Sequence, residues 1–474
     1  MAELQKSDDQ ISNSLRQFPW ENLAFEGGGA KGYAYIGAIQ CLETYKVYPQ
    51  QIKRVAGTSI GSLFAILVAL GCSTEFMTSI VPQDFQALAK DGSGGKMRSF
   101  ARAARARGMH PGQRLFDFLG EVLLEVTGNS DITFLQIYET YGRELCIPIT
   151  NVTRMMTEYC HVKTTPNMSV RTAARTSMSL PVLLEPVKLR SERMDFDTEV
   201  QADIYVDGGL LCNNPTHAFD GWWLSMRKED SYFRKIKPLS QASEQYPRSA
   251  RFSPPTEKTL GFTLFSESEA DMTRSWVSSD VDMPHRPSTP AANRHVNEQS
   301  NRNKLSHKHE PIQRLIQVLD EVDLDSDGRI TSDELSLAIQ KSGITDSELV
   351  SIFNSNDKEK IFSHIDVDSD KKIDFAEILN FLDSIGVDVT TQLVGFPARH
   401  PKTVLDFALN MLDAVSRDLT RANYQSIDRK RTVPINTDYV GTTTFDLESE
   451  DFGFLIETGR IHTESFLKSL LNQR

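Results

Sequence analysis

The stretch Gly57-Thr58-Ser59-Ile60-Gly61 constrains this chain more than any other. It lies between a short apolar segment, Arg54-Val55-Ala56, and an apolar run from Ser62 to Cys72 that reads as a helix. Small residues around a serine permit a strained strand-to-helix turn that lifts the hydroxyl clear of the sheet. The helix then starts beneath the serine, and its N-terminal dipole favours negative charge there. The same pentapeptide occurs in ordinary turns, so Ser59 needs independent company before it reads as a nucleophile.

That company lies upstream. Asn22-Leu23-Ala24-Phe25-Glu26 reads as a strand that enters Gly27-Gly28-Gly29-Ala30-Lys31-Gly32. Tyr33 to Tyr45 then reads as a helix with Ile36, Ile39 and Leu42 on one face. Successive glycines let the backbone approach a ligand and turn several N–H groups into one concavity. Gly27, Gly28, Gly29, Lys31 and Gly32 are therefore candidate anion-holding residues. Such a loop suits a nucleotide phosphate or a carbonyl oxygen becoming an oxyanion. The dinucleotide fingerprint also asks for an acidic residue at the end of the second strand. Here that position offers Lys53-Arg54-Val55 and then the serine turn, which favours the oxyanion.

A third element, Asp207-Gly208-Gly209, follows the apolar Ile204-Tyr205-Val206. Alone, Asp-Gly-Gly is an ordinary turn. Taken in order, the glycine loop, the serine elbow and this aspartate make the chain resemble the patatin-like phospholipases. The resemblance covers roughly residues 20–265 and 395–470. It implies an α/β fold, a three-layer hydrolase with a largely parallel central sheet between helices. It also implies that Ser59 is the nucleophile and Asp207 its proton acceptor, a Ser–Asp dyad acting on fatty-acyl esters of phospholipids, lysophospholipids or neutral acylglycerols. A carboxylate of pKa about 3.9 is a weak base for an alcohol, so the dyad requires a direct hydrogen bond to Ser59. His217 is the histidine nearest Asp207 in sequence, which keeps a Ser–His–Asp triad open. The preferred reading makes it structural, on a helix after the Asn213-Asn214-Pro215 turn. Ser177 and Ser179 lie in Ala173–Pro181, which resembles the helix and turn preceding the family's aspartate, and read as packing and turn residues.

A second motif is unrelated to the first. Asp323, Asp325, Asp327, Gly328, Arg329 and Glu334 fit the twelve-residue EF-hand loop, with Arg329 lending its carbonyl and Glu334 two oxygens. A second loop offers Asp366, Asp368, Asp370, Lys372 and Glu377, with Asp374 as a further carboxylate. It places Lys371 where glycine is expected, a residue type strained at positive φ. Ile330 and Ile373 hold matching eighth places. The pair predicts an inserted all-α module binding Ca²⁺ in a regulatory or structural role, against the plain alternative of charged, solvated helices. Residues 311–386 carry 17 acidic and 7 basic residues, so most of the net charge of −12 belongs to this module.

These motifs divide the chain into a flexible lead (1–20), the first hydrolase part (21–265), a disordered or lid-like linker (266–309), the EF-hand pair (310–386) and the closing hydrolase part (395–474). In the last part, Val404, Leu405, Ala408, Leu412 and Val415 mark one helical face, and Thr463 to Leu471 reads as a terminal helix. Five scattered cysteines lack metal-ligand spacing and read as reduced. The first residues lack a signal peptide's apolar core, and no apolar run approaches the ~20 residues needed to span a bilayer. The expectation is a cytoplasmic protein meeting lipid at the membrane surface, without nucleic acid as a partner. Delivery into another cell and a protein partner for the EF-hand pair are left open. The basic stretch from Lys96 to Arg107 reads as a solvated helix, with headgroup contact as its rival. Competing functions are a catalytically inactive calcium-binding adaptor and an acyltransferase on the same fold.

Overall fold

Parallel strands need long crossovers, while strands a few residues apart can only pair antiparallel. The fold follows from where this chain uses each. A computed structural model describes residues 11–81, 107–189, 202–267, 281–296, 309–322, 327–384 and 403–472, with a few isolated positions besides. They fall into two units, one drawn from residues 1–268, 272–291 and 400–474, the other from 269–271 and 292–399. The basic stretch 96–106 lies outside the described residues.

The first unit is built on β1 (Asn22–Phe25), β2 (Arg54–Gly57), β4 (Glu144–Asn151), β5 (Met156–His161), β7 (Val187–Leu189), β8 (Asp203–Val206), β9 (Thr259–Phe265) and β10 (Thr432–Asn436). Their order is β10-β9-β1-β2-β4-β8-β7, with β5 also paired to β4; β3 (Gly108–His110) and β6 (Val182–Leu184) form a separate parallel pair. From β10 to β4 every pairing is parallel, whereas β8 and β5 run antiparallel to β4, and β7 antiparallel to β8. The sheet is thus mixed, which corrects the expectation of a largely parallel one. Only Val152–Met155 separate β4 from β5, too few for a crossover. The reversal of β8 also brings its C-terminal end back towards the serine turn.

The helix Ile60–Ala69 is buried along its whole length, so its apolar run shows no amphipathic period. Its Phe64 ring meets Tyr35, which in turn packs against Phe25 and Phe262. The closing segment completes this unit twice over. β10 adds a parallel edge beside β9, with Val433 opposite Phe262. The helix Ser449–Asn472, longer than the expected Thr463–Leu471, crosses Ala34–Thr44 so closely that a Cβ on Gly37 would lie 1.7 Å from the Ile456 carbonyl oxygen and one on Gly459 1.8 Å from that of Ala34.

Three further expectations are corrected. His217 lies in a turn, where Ala218 N–H donates to the Pro215 carbonyl, and no helix follows there. Part of the presumed lid, 281–291, is tied down: Arg286 pairs with Asp438 at 2.7 Å, and Thr289 Oγ1 donates to Asp451 at 2.6 Å. In Val404–Asn423, Val415 is exposed in line with Phe407 and Met411 rather than turned inward.

The second unit contains the helices His309–Val322, Ser332–Ser342, Asp346–Phe353, Lys358–Ile365 and Phe375–Ser384 around its own apolar core, which includes Ile312, Val322, Leu349, Ile361 and Phe381. Ile330 and Ile373 form an antiparallel bridge between its two acidic loops.

Candidate functional site

Ser59 takes φ 51° and ψ −128°, the strained conformation that a nucleophile turn requires. The glycines on either side make room for it. A Cβ on Gly57 would lie 2.0 Å from the Gly61 carbonyl oxygen, and one on Gly61 would lie 2.5 Å from that of Phe25. The turn therefore presses against the ends of β1 and β2, and the helix Ile60–Ala69 begins directly after the serine.

Asp207 follows β8 and is buried. Ser59 Oγ donates to Asp207 Oδ2 at 2.8 Å, and the Gly209 N–H donates to Oδ1 at 2.7 Å. The backbone of Asp207 is held by its own N–H donating to the Ser179 carbonyl. Burial pushes the carboxyl up to about 7, against the opposing pull of the Gly209 and Ser59 hydrogen bonds. A carboxyl near 7 is better matched to base chemistry at neutral pH than an ordinary carboxylate.

The glycine loop lies against the serine, since a Cβ on Gly27 would fall 3.2 Å from Ser59 Cβ. Its residues do different work. Gly27 N–H is used by the Asn213 carbonyl, and Gly32 packs against Ile60. Lys31 is buried, with its ammonium donating to the Leu264 carbonyl at 3.0 Å. Gly28 and Gly29 make no backbone N–H hydrogen bond among the described residues. Gly29 has φ +55°, and a Cβ there would strike the Thr442 carbonyl oxygen at 2.2 Å. The Lys31 N–H donates to the Gly28 carbonyl at 3.2 Å, so Gly28 and Gly29 are the candidates for an oxyanion on this loop.

Several contributors were not singled out from the sequence. Ser177, read there as a packing residue, accepts the Ser59 N–H at 3.0 Å and donates to the Pro148 carbonyl at 2.7 Å; Gly208 N–H returns to the Ser177 carbonyl. Asn213 donates to Glu26 Oε1 and to the Gly27 carbonyl, while Glu26 also accepts the Leu264 N–H. These two fasten the glycine loop to its neighbours. The Asn-Asn-Pro turn after Asp207 was the available signal. His217 bonds Tyr159 Oη at 2.8 Å and Arg248 Nη1 at 3.3 Å, in a separate network from the dyad. Burial holds its pKa well below the usual histidine value, and nearby arginines add to the effect.

In the second unit, Asp323 and Asp325 lie outside the described residues. Glu334 caps its helix, accepting the Thr331 N–H at 2.9 Å. The second loop is complete. Asp366, Asp368 and Asp370 bring carboxylate oxygens within 4.8 Å of one another, and Glu377 accepts the Val367 N–H at 2.7 Å. Lys371 takes φ +70°, the strained value its place in the motif demands. Asp366 is only 8% exposed, yet its Oδ1 has no hydrogen-bond partner. A buried carboxylate oxygen left bare is costly unless something positive meets it. The oxygen-rich donor set of this loop fits Ca²⁺.

Residues 23–220 match the family model described as patatin-like phospholipase. The chain is 30% identical over 201 residues to an uncharacterised protein of Acanthamoeba polyphaga mimivirus, covering 42% of this chain and 61% of that one. It is 24% identical over 214 residues to a probable lipid hydrolase of Invertebrate iridescent virus 6, covering 45% and 67%. The mimivirus match spans less than two thirds of that relative's length. Among solved structures, VipD from Legionella pneumophila aligns with a TM-score of 0.41 and 16% identity, over 95% of this chain and 67% of that one.

Proposed function

Because residues 23–220 match the patatin-like phospholipase family model, we propose that this protein is a lipid acyl hydrolase working through Ser59 and Asp207. The observation that carries the reading is the 2.8 Å hydrogen bond from Ser59, on its strained turn, to a buried carboxylate held near neutral pKa. Ser59 Oγ attacks the acyl carbonyl carbon as Asp207 takes its proton. Gly28 and Gly29 N–H groups receive the oxyanion, and the start of the helix Ile60–Ala69 adds its dipole. Lys31 contributes charge through space, its ammonium being committed to Leu264. Collapse expels the alcohol, which takes the proton from Asp207. Water, deprotonated by Asp207, then releases the fatty acid from Ser59.

The substrate is a fatty-acyl ester met at a membrane surface, a phospholipid or lysophospholipid in the first place. No helix among the described residues is long and apolar enough to cross a membrane. Calcium, bound by the second unit, would act on regulation or stability, supplying positive charge to the acidic loops; the dyad chemistry needs no metal. Asp366, Asp368, Asp370, the Lys372 carbonyl and Glu377 would hold one ion. Asp327, the Arg329 carbonyl and Glu334, with Asp323 and Asp325, would hold the other. A protein partner of this unit would need the apolar cavity lined by Ile312, Leu319, Ile330, Phe353, Ile373 and Phe381 to open, since nearly all of these side chains belong to its buried core.

The test is fatty-acid release from mixed phospholipid vesicles with calcium titrated against chelator, using native, Ser59→Ala and Glu334→Gln proteins. Release that requires Ser59, and responds to calcium only with Glu334 intact, supports both parts. Calcium binding without cleavage of any lipid moves the inactive-adaptor reading ahead. Transfer of the acyl group to an added alcohol in preference to water identifies an acyltransferase.

A further inference from the structure

The two acidic loops of the second unit lie back to back. Ile330 and Ile373 exchange both backbone hydrogen bonds at 2.8 Å. Arg329 and Lys372 each precede their isoleucine by one residue, at the seventh place of their own loop. That place gives a cation only its carbonyl, so the side chain is spare. Both side chains cross to the opposite loop. Arg329 Nη1 lies 3.0 Å from Asp370 Oδ2, and Lys372 Nζ pairs with Asp327 Oδ2. Asp370 and Asp327 are the fifth-place carboxylates, so the crossing is reciprocal: each loop holds the other's ligand.

We propose that Arg329 and Lys372 are built-in counter-ions that set the cation affinity of the loop opposite their own. This rests on the calcium reading given above. For the second loop it has independent support in the bare Oδ1 of buried Asp366. An entering divalent ion must draw Asp370 away from Arg329, which is a competition. The displaced guanidinium stays tethered by the isoleucine bridge, so it also repels the ion. Both effects weaken binding in the same direction. Both are electrostatic at half-exposed side chains, so salt reduces them. The arrangement makes the filling of one loop depend on a residue of the other.

The experiment is calorimetric titration of the full chain with calcium chloride at low ionic strength. Glu334→Gln removes the twelfth-place ligand of the first loop and leaves the second to be read. Adding Arg329→Gln, which keeps the carbonyl, is expected to tighten calcium binding by roughly two- to fivefold. That gain should shrink as sodium chloride is raised, and Arg329→Lys should stay near the starting affinity. The mirror pair, Lys372→Gln in a Glu377→Gln background, should tighten the first loop. Unchanged or weaker affinity with Arg329→Gln, while the second loop still binds, overturns the counter-ion role alone. If Glu334→Gln protein binds no calcium and Glu377→Gln changes nothing in the native chain, the second loop is no cation site. The calcium reading of that loop then falls, and the proposal with it.

Discussion

At the scale of single residues, the raised pKa of Asp207 has two consequences of opposite sign. As a base it must be unprotonated, so kcat/KM on a soluble short-chain ester should rise with pH through a midpoint near 7. A profile flat from pH 5 to 8 would show that some other group takes the proton. For stability the direction reverses. The folded pKa lies above the unfolded value, so the favourable term is fully present below the unfolded pKa and is lost as pH rises through about 7. Charged Asp207 therefore costs stability at pH 8. Asp207→Asn should raise the melting temperature there, by about 2 °C or more, while abolishing turnover. Ser177 bridges the Ser59 backbone to Pro148, which makes it a positioning residue under the proposed mechanism. Ser177→Ala should lower kcat about tenfold to a hundredfold with little change in KM, and Ser177→Thr should recover part of it. A proportionate loss of folded protein instead would assign Ser177 to stability alone.

At the scale of elements, the glycine loop, the serine turn and the aspartate were legible because each requires residue types that little else requires. The strand into Gly27 and the helix after Ser59 follow from those same residues. What the sequence hid was relational. Ser177 and Asn213 act through backbone bonds to segments more than a hundred residues away, and no local pattern announces that. The place of Lys31 in the motif suggested an oxyanion partner, but no local pattern told that its ammonium also donates to the Leu264 carbonyl. His217 followed a good helix-start signal, but the chain turns there to reach Asp220, whose carboxylate meets Arg431 at 2.8 Å. That ion pair is buried, and Arg431→Met should destabilise the unit by about 3–5 kcal/mol in a urea melt by stranding Asp220. The Gly37 and Gly459 crossing was unreadable from periodicity, because closeness of two backbones leaves no trace in a hydrophobic pattern. Gly459→Leu should prevent the terminal helix from seating, seen as loss of soluble protein or of cooperative unfolding.

At the scale of the whole molecule, the first unit is finished only after the chain has passed through the second. β10 and the helix Ser449–Asn472 come from the closing segment, and the Thr442 carbonyl from the same segment accepts the Ala30 N–H of the glycine loop. The glycine loop therefore leans on residues that follow the insertion, and ending the chain before residue 400 should abolish the proposed activity. The decisive measurement is fatty-acid release from phospholipid vesicles, comparing native protein with Ser59→Ala and Asp207→Asn at equal folded concentration. A loss of about a thousandfold or more is expected in each variant. Release that persists undiminished without Ser59 would contradict it.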